Sequence, residues 1–412
     1  MGYQKKTLVG FGYVSIAKGV TESIKVIKII IFARLINPAA FGIFGSIFLV
    51  YSFLDILFQL GTEIILLQKN PQEHARLLNA AWSMNVIKGG IISLLLVLSI
   101  PLAHQLYPVA PPVVLIALTA LVPLIKGAVS LSQTVNQKQL AFKRISLVSM
   151  VTVFIQSITG VLLLLSFRSV TGLILVALAE ACIEVVSSWL FFSPRPRWQF
   201  DSTAIRSLFK QAKWVNLAGT TNYIFHQFDD FVIGKLLGAK DLGIYQMAYT
   251  IGMVPITHSA QLVSQVTLPT FTLLTHDQYR LRRAFYRTLV GLIFLTGIPV
   301  LIFFLTGETL IRVLFGTQWL SIFPVVYVLL CFGALRAVSG LSATLLYAVQ
   351  KEKWVSTITL VSCVAIIIVA VPFVRWFGIV GGAYAALFGA VAALPWMIYY
   401  SYKVLYDSHT KS

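Results

Sequence analysis

The chain has 412 residues, of which 58% are hydrophobic and only 11% charged, with a mean hydropathy of +0.85. Soluble domains carry ~25% charged residues, so a water-soluble enzyme or binding module is excluded. The formal net charge of +18 is distributed between apolar runs rather than gathered on a polar nucleic-acid-binding domain.

In chain order, Lys5 and Lys6 precede a first apolar run at 8–33. No small-residue cleavage site follows it, so it reads as a retained helix. Five more runs lie at 41–66, 78–102, 112–135, 145–166 and 171–192. The polar stretch "SPRPRWQFDSTAIRSLFKQAK" (193–213) interrupts them, and six further runs follow at 213–238, 244–268, 285–306, 322–349, 355–373 and 378–404. Each is long enough for the ~20 helical residues that cross a hydrocarbon core. The alternating segments of about ten residues that build a membrane barrel are absent. The expected fold class is therefore all-α: a polytopic membrane protein of about twelve transmembrane helices. Residues 1–192 would form one six-helix half, 193–213 a linker, and 214–412 the second half. The cysteines, Cys182, Cys331 and Cys363, all fall inside apolar runs. They match no metal spacing and imply no disulfide, which leaves packing as their role.

On this map twenty of the 32 basic residues fall on one side of the membrane, among them Lys69, Lys143, Arg144, Arg195, Arg197, Arg280 and Arg283. Six fall on the other side: Arg34, Arg168, Lys235, Lys240, Arg312 and Arg375. Positive residues favour the cytoplasmic face, so both termini and the linker are expected there. Most of the net charge then reports topology, and no nucleic-acid partner is implied.

The halves also resemble each other. "ARLINPAAFGIFG" (33–45) returns as "GKLLGAKDLGIYQ" (234–246), so that Gly42 aligns with Gly243 and Phe44 with Tyr245. An even number of spans per half gives both the same orientation. Such repeats are related by an axis along the membrane normal and enclose a central cavity.

These residues carry a family resemblance. R-L-x-x-P-x-x-F-G-I-F after the first helix, together with "DDFVIGKLLGAKDLGIY" (229–245) in the second half, resembles the polysaccharide flippases of the MOP superfamily. The pattern departs at Gln59, before Gly61, where such flippases often carry an acidic residue. Asp55 and Glu63 lie one turn to either side. The resemblance implies a transporter, not an enzyme, in the bacterial cytoplasmic (inner) membrane. It would move an isoprenoid-pyrophosphate-linked oligosaccharide from the inner to the outer leaflet by alternating access, for O-antigen, capsule or exopolysaccharide synthesis. Its partners would be the lipid-linked oligosaccharide, the phospholipid bilayer and the polysaccharide polymerase machinery. A multidrug antiporter or a lipid II flippase of the same superfamily is the alternative. A membrane polymerase or ligase is a further one, disfavoured by short outer loops such as "HQLYPVAPP" (104–112) and "GETLIRVLFGTQWLS" (307–321).

Independently of the resemblance, charges inside a membrane cost ~2.5–3.5 kcal/mol at the bilayer centre and usually face a cavity. Lys18, Glu22, Lys25 and Lys28 fall within about 120° of arc on the first helix at 100° per residue. Ile16, Val20, Ile27 and Ile31 take the opposite face. Lys88 and Arg336 are further intramembrane cations. The seventh helix places Asn216, Thr220, Tyr223, Gln227 and Asp230 on one face, with His226 and Asp229 at its edge. A pyrophosphate suits lysines in a dry cavity, while Tyr13, Trp214, Asn222 and Tyr223 suit sugar faces and hydroxyls. The expected substrate-binding set is therefore Lys18, Glu22, Lys25, Lys28, Lys88, Arg336, Tyr223 and His226. The same lysines could instead form bundle salt bridges with Glu22, Asp55, Glu180 or Glu184, and both readings stay open. Asp55, Glu63, Asp229 and Asp230 could couple transport to H⁺ or Na⁺, or simply neutralise the lysines. No other cofactor and no metal site is implied.

Overall fold

The computed structural model describes residues 3–59, 61, 62, 66, 74–101, 111–139 and 141–406; side chains at 3–11, 74, 75, 202–215, 217, 218 and 258 are not described. Glu63, Lys69, Lys411 and most of the 104–112 loop thus lie outside the described residues, and the side chains of Lys5, Lys6, Arg206, Lys210, Lys213 and Trp214 are not described. All regular structure among the described residues is helical. The chain forms two compact units, residues 1–226 and 227–412.

The first unit begins with α1 (Tyr3–Leu35) and α2 (Pro38–Leu57). Asn37 caps α2, accepting a hydrogen bond from the Ala40 amide at 2.8 Å, and Pro38 supplies the first helical residue without wasting a donor. Then come α3 (His74–Leu98), α4 (Val113–Gly127), α5 (Ser132–Lys138), α6 (Phe142–Ser166) and α7 (Val170–Phe191). α1 lies along α6, α6 along α7, and α4 between α3 and α7. Gly89 and Gly127 allow α3 and α4 to meet backbone to backbone: a Cβ on Gly89 would stand 2.4 Å from the Pro123 carbonyl oxygen. Small residues serve this purpose in membrane helices, where van der Waals contact drives association. Tyr51, Ile92, Leu96, Ala120, Val122 and Ala181 then seal α2, α3, α4 and α7 around one apolar cluster.

α4 and α5 are two parts of a bent element, turned by 42° at residues 128–131. The break releases backbone groups that cannot be left bare within a membrane. The Ala128 carbonyl accepts from the indoles of both Trp82 (3.2 Å) and Trp189 (2.8 Å), and the Ser130 amide donates to the Ser188 hydroxyl at 3.0 Å.

α8 (Ser202–Leu237) runs from the first unit into the second, which continues with α9 (Ala239–Gly252), α10 (Val254–Leu274), α11 (Gln278–Leu314), α12 (Phe323–Ala348), α13 (Glu352–Phe377) and α14 (Ile379–Tyr406). The repeated turn is a helix–helix turn in both copies. Where the first copy uses the capping Asn37, the second has Gly238 at φ 92°, a conformation that needs glycine. Gly42 and Gly243 are buried in their own surroundings. α9 and α10 are separated at Met253, with Pro255 at the start of α10. Within the second unit α14 packs on α12 and α13, and α12 also receives α9, α10 and α11.

The 307–321 segment, expected as an outer loop, is helical instead. α11 continues through it to Leu314, aided by an Arg312–Glu308 pair at 2.8 Å one turn apart. Gly316 (φ 101°) ends the run, and a 3₁₀ turn, Thr317–Ile322, buries Trp319. Eight helices among the described residues are long and apolar enough to cross a membrane, or nine if the bent α4–α5 element counts as one span. The chain is a polytopic α-helical membrane protein. At 33 and 36 residues, α1 and α8 have the length for a span. Their ionisable residues, Lys18 to Lys28 on α1 and His226 to Asp230 on α8, lower their apolarity.

Candidate functional site

Ionisable side chains from several helices converge in the first unit. On α1, Ile16, Val20 and Ile27 are exposed, as a lipid-facing side requires, and the ionisable stripe faces elsewhere. Lys25 pairs with Glu22 on the same helix at 2.8 Å, while Lys28 crosses to Glu180 of α7 at 2.7 Å. Lys88 of α3 meets Asp55 of α2 at 2.7 Å, and Lys126 of α4 stands 3.8 Å from Glu184 of α7. Lys18 is exposed and makes no ion pair among the described residues. The salt-bridge alternative is therefore realised for Lys25, Lys28 and Lys88, and Asp55 is a lysine's partner.

Pairing does not close the region to solvent. A cavity of about 440 Å³ is lined by Lys25, Lys126, Gln133, Gln156, Glu180 and Glu184 together with serine, threonine and apolar side chains. A second, of about 250 Å³, is lined by Tyr51, Asp55, Asn85, Lys88, Lys126 and Glu184. Lys126 and Glu184 line both. The Gln156 amide donates to the Glu180 carbonyl at 3.0 Å, which steadies α6 against α7 at this depth. The Lys25–Glu22 pair is the more open one, with side chains 49% and 34% exposed; for Lys28–Glu180 the values are 19% and 29%. Chemically the first unit offers an anion several ammonium groups, of which those of Lys25, Lys28, Lys88 and Lys126 each lie beside a carboxylate.

Lys126, Glu180, Glu184, Gln133 and Gln156 enter the site only through the structure, the two glutamates having been expected merely as partners. Their sequence signal is the spacing of Glu180 and Glu184: two acids one turn apart in an apolar span must share a polar surface.

The remaining candidates fall elsewhere. The Tyr223 hydroxyl donates to the Leu49 carbonyl at 2.7 Å, with its ring against Phe53, so this hydroxyl is committed to α2. His226 lies against the Phe225 ring at 4.9 Å. In the second unit Asp229 and Asp230 are both buried. Asp229 accepts from the Tyr245 hydroxyl and from the Asp230 amide. Arg336 of α12 sits beside Asp229 and Tyr249, with its guanidinium 5.9 Å from the Phe332 ring. Two carboxylates and one guanidinium thus meet where α8, α9 and α12 pack. No cluster of three or more His, Cys, Asp or Glu side chains suited to a metal occurs among the described residues.

A helical membrane fold with a charged, solvent-accessible interior fits many transporters; the sequence comparison narrows the field. The pattern of the family described as "Polysaccharide biosynthesis protein" matches residues 31–324. The chain belongs to that family. Over 353 residues it is 23% identical to the lipopolysaccharide biosynthesis protein WzxC of Escherichia coli, covering 84% of this chain and 71% of WzxC. The teichuronic acid biosynthesis protein TuaB of Bacillus subtilis is 24% identical over 302 residues, 72% of this chain and 62% of TuaB. The succinoglycan biosynthesis transport protein ExoT of Rhizobium meliloti is 24% identical over 314 residues, 76% of this chain and 63% of ExoT. Among solved structures, the lipid II flippase MurJ in an inward closed conformation superposes with a TM-score of 0.74 at 13% identity, covering 95% of this chain and 89% of MurJ. An inward-facing multidrug resistance MATE transporter of the MOP superfamily gives 0.68 at 16% identity, covering 94% and 96%. This polysaccharide biosynthesis family member therefore has the MOP transporter fold.

Proposed function

We propose that the protein is a flippase, not an enzyme, that moves an isoprenoid-pyrophosphate-linked oligosaccharide repeat unit across the bacterial inner membrane to its outer leaflet. The glycan so supplied would be a surface polysaccharide: O-antigen, capsule or exopolysaccharide. The observation that carries this reading is the set of lysines in the membrane interior of the first unit, opening on polar cavities, in a chain of the polysaccharide biosynthesis family. A pyrophosphate diester brings about two negative charges that charge-assisted bonds from ammonium groups would stabilise. Lys25, whose pair with Glu22 is more open than Lys28–Glu180, and Lys18, which makes no ion pair among the described residues, would be its first contacts. Lys28, Lys88 and Lys126 would exchange a carboxylate for phosphate as the headgroup advances.

In this reading α1, α8 and the broken α9–α10 element also cross the membrane, giving twelve spans in two six-helix halves of like orientation. Residues 1–192 and 214–412 are the halves, joined by a linker at 193–213 on the cytoplasmic side with both termini. Transport proceeds by alternating access. Asp229 and Asp230, along with Asp55 and Glu63, are the carboxylates that would respond to a coupling H⁺ or Na⁺, and the polymerase that consumes the flipped unit is the natural neighbour. The decisive experiment measures the leaflet in which the lipid-linked repeat unit accumulates when the protein is absent. Accumulation in the inner leaflet supports the flippase; accumulation in the outer leaflet moves the protein's role to polymerisation.

A further inference from the structure

One end of the first unit is strongly basic and carries a groove that the transport reading leaves unused. The segment 193–201 is fastened across this end. Asn136 donates to the Ser193 carbonyl at 2.8 Å, the Arg197 amide to Asn79 at 2.9 Å, and the Gln199 amide to Ser83 at 3.1 Å. Asp201 is taken by Arg76. Trp198 and Phe200 remain exposed on this strap, with Trp198 edge-on to Trp82. Exposed aromatics of this kind mark the headgroup level of a membrane.

At the same end the start of α6 and the end of α7 border a groove of about 510 Å³, lined by Ala141, Lys143, Arg144, Leu147, Val148 and Phe191. Its parts are ordered along the helix. Two exposed basic side chains stand in the first turn of α6, Leu147 and Val148 follow one turn deeper, and Phe191 faces them from α7. The Lys143 ammonium lies 5.9 Å from the ring of the exposed Tyr13. Among the described residues neither Lys143 nor Arg144 pairs with a carboxylate, whereas Lys25, Lys28, Lys88 and Lys126 all do. The two basic side chains are thus available to an outside anion, and the trough below them is apolar.

We propose that this groove is a binding site for an anionic phospholipid of the cytoplasmic leaflet, its phosphate held by Lys143 and Arg144 and one acyl chain lying over Leu147, Val148 and Phe191. A charged head over an apolar chain matches the order of the groove. Basic pockets between helices on the cytoplasmic side recognise lipids in this way. The leaflet follows from the orientation proposed above; the site does not depend on the identity of the transported glycan.

The test uses the full-length protein in neutral detergent, with native mass spectrometry and thermal melting in phosphatidylglycerol or phosphatidylcholine of identical chains. The wild type is expected to retain phosphatidylglycerol preferentially and to melt higher in it. The double change Lys143→Gln and Arg144→Gln should reduce that preference roughly thirty-fold, given the contribution of each basic residue near an anionic surface. Lys351→Gln with Lys353→Gln removes the same charge from the second unit and should leave the preference intact. An unchanged preference in the Lys143/Arg144 variant, or none in the wild type, overturns the site. Farnesyl pyrophosphate is the competing arm. If it displaces phosphatidylglycerol, and does so only while Lys143 and Arg144 are present, the groove takes the isoprenoid pyrophosphate and the phospholipid assignment fails. Lys25→Ala should leave the lipid preference untouched, so loss of the flippase reading and loss of this site are separately visible.

Discussion

Replacing Lys25 by alanine should separate substrate binding from folding, because the structure assigns its two neighbouring lysine pairs different exposures. The Lys25–Glu22 pair lies within one helix, 49% and 34% exposed; exposed pairs of this spacing contribute only ~0.3–0.5 kcal/mol. Lys25→Ala should therefore insert and accumulate normally. If Lys25 contacts the pyrophosphate, the change removes a charge-assisted bond worth ~1.5–3 kcal/mol, a loss of roughly 10- to 150-fold in affinity, with the lower end applying to a side chain this exposed. Export of glycan, normalised to membrane-inserted protein, should fall sharply. Lys25→Arg should retain more export than Lys25→Gln, because the charge matters more than hydrogen-bonding capacity, and Lys25→Glu should be the most severe. Lys28→Ala is the contrasting case. It strands Glu180 in a less exposed pair between α1 and α7, at a cost below the ~3–5 kcal/mol of a fully buried broken pair but still enough to lower abundance. Full export by normally inserted Lys25→Glu would refute the binding role. If instead Lys25→Ala lowers abundance and adding Glu22→Ala restores both abundance and export, Lys25 acts only as an ion-pair partner.

Four further outcomes are expected. A reporter active only in the periplasm, fused after Asp201, should stay silent; activity there would reverse the orientation. Gly89→Ala should reduce folded, monodisperse protein by ~1–3 kcal/mol of overpacking, since its Cβ meets the Pro123 carbonyl, whereas Gly90→Ala, with nothing within 4 Å of the added carbon, should be neutral by size-exclusion profile. In vesicles energised by a pH or Na⁺ gradient, Asp229→Asn and Asp230→Asn should uncouple substrate movement from the gradient, while Glu308→Gln, in an exposed pair with Arg312, should not; retained coupling in both aspartate variants would remove them from the relay. In an experimental structure, residues 1–190 should superpose on 202–404 with Gly42 on Gly243, and a match obtained only after inversion would rule out parallel repeats.

The sequence by itself determined the class of fold and which apolar runs carry ionisable residues. A helix in a bilayer must satisfy its backbone within its own segment, so length and apolarity reveal a span without any knowledge of its neighbours. The same locality made the repeated turn legible: Pro38 after Asn37, and Gly238 in the matching place, are short-range devices. The stripe from Lys18 to Lys28 could be drawn from helical period alone. Tertiary structure decided what that stripe meets. Lys28 takes Glu180, 152 residues away, and Lys126 stands 3.8 Å from Glu184 where both border two cavities. Those choices depend on how each helix is rotated and at what depth it is held, which close contacts such as Gly89 against Gly127 fix and no periodicity encodes. The break at 128–131 is likewise a tertiary matter: it is tolerated because Trp82, Trp189 and Ser188 arrive from two other helices to take up the released backbone groups.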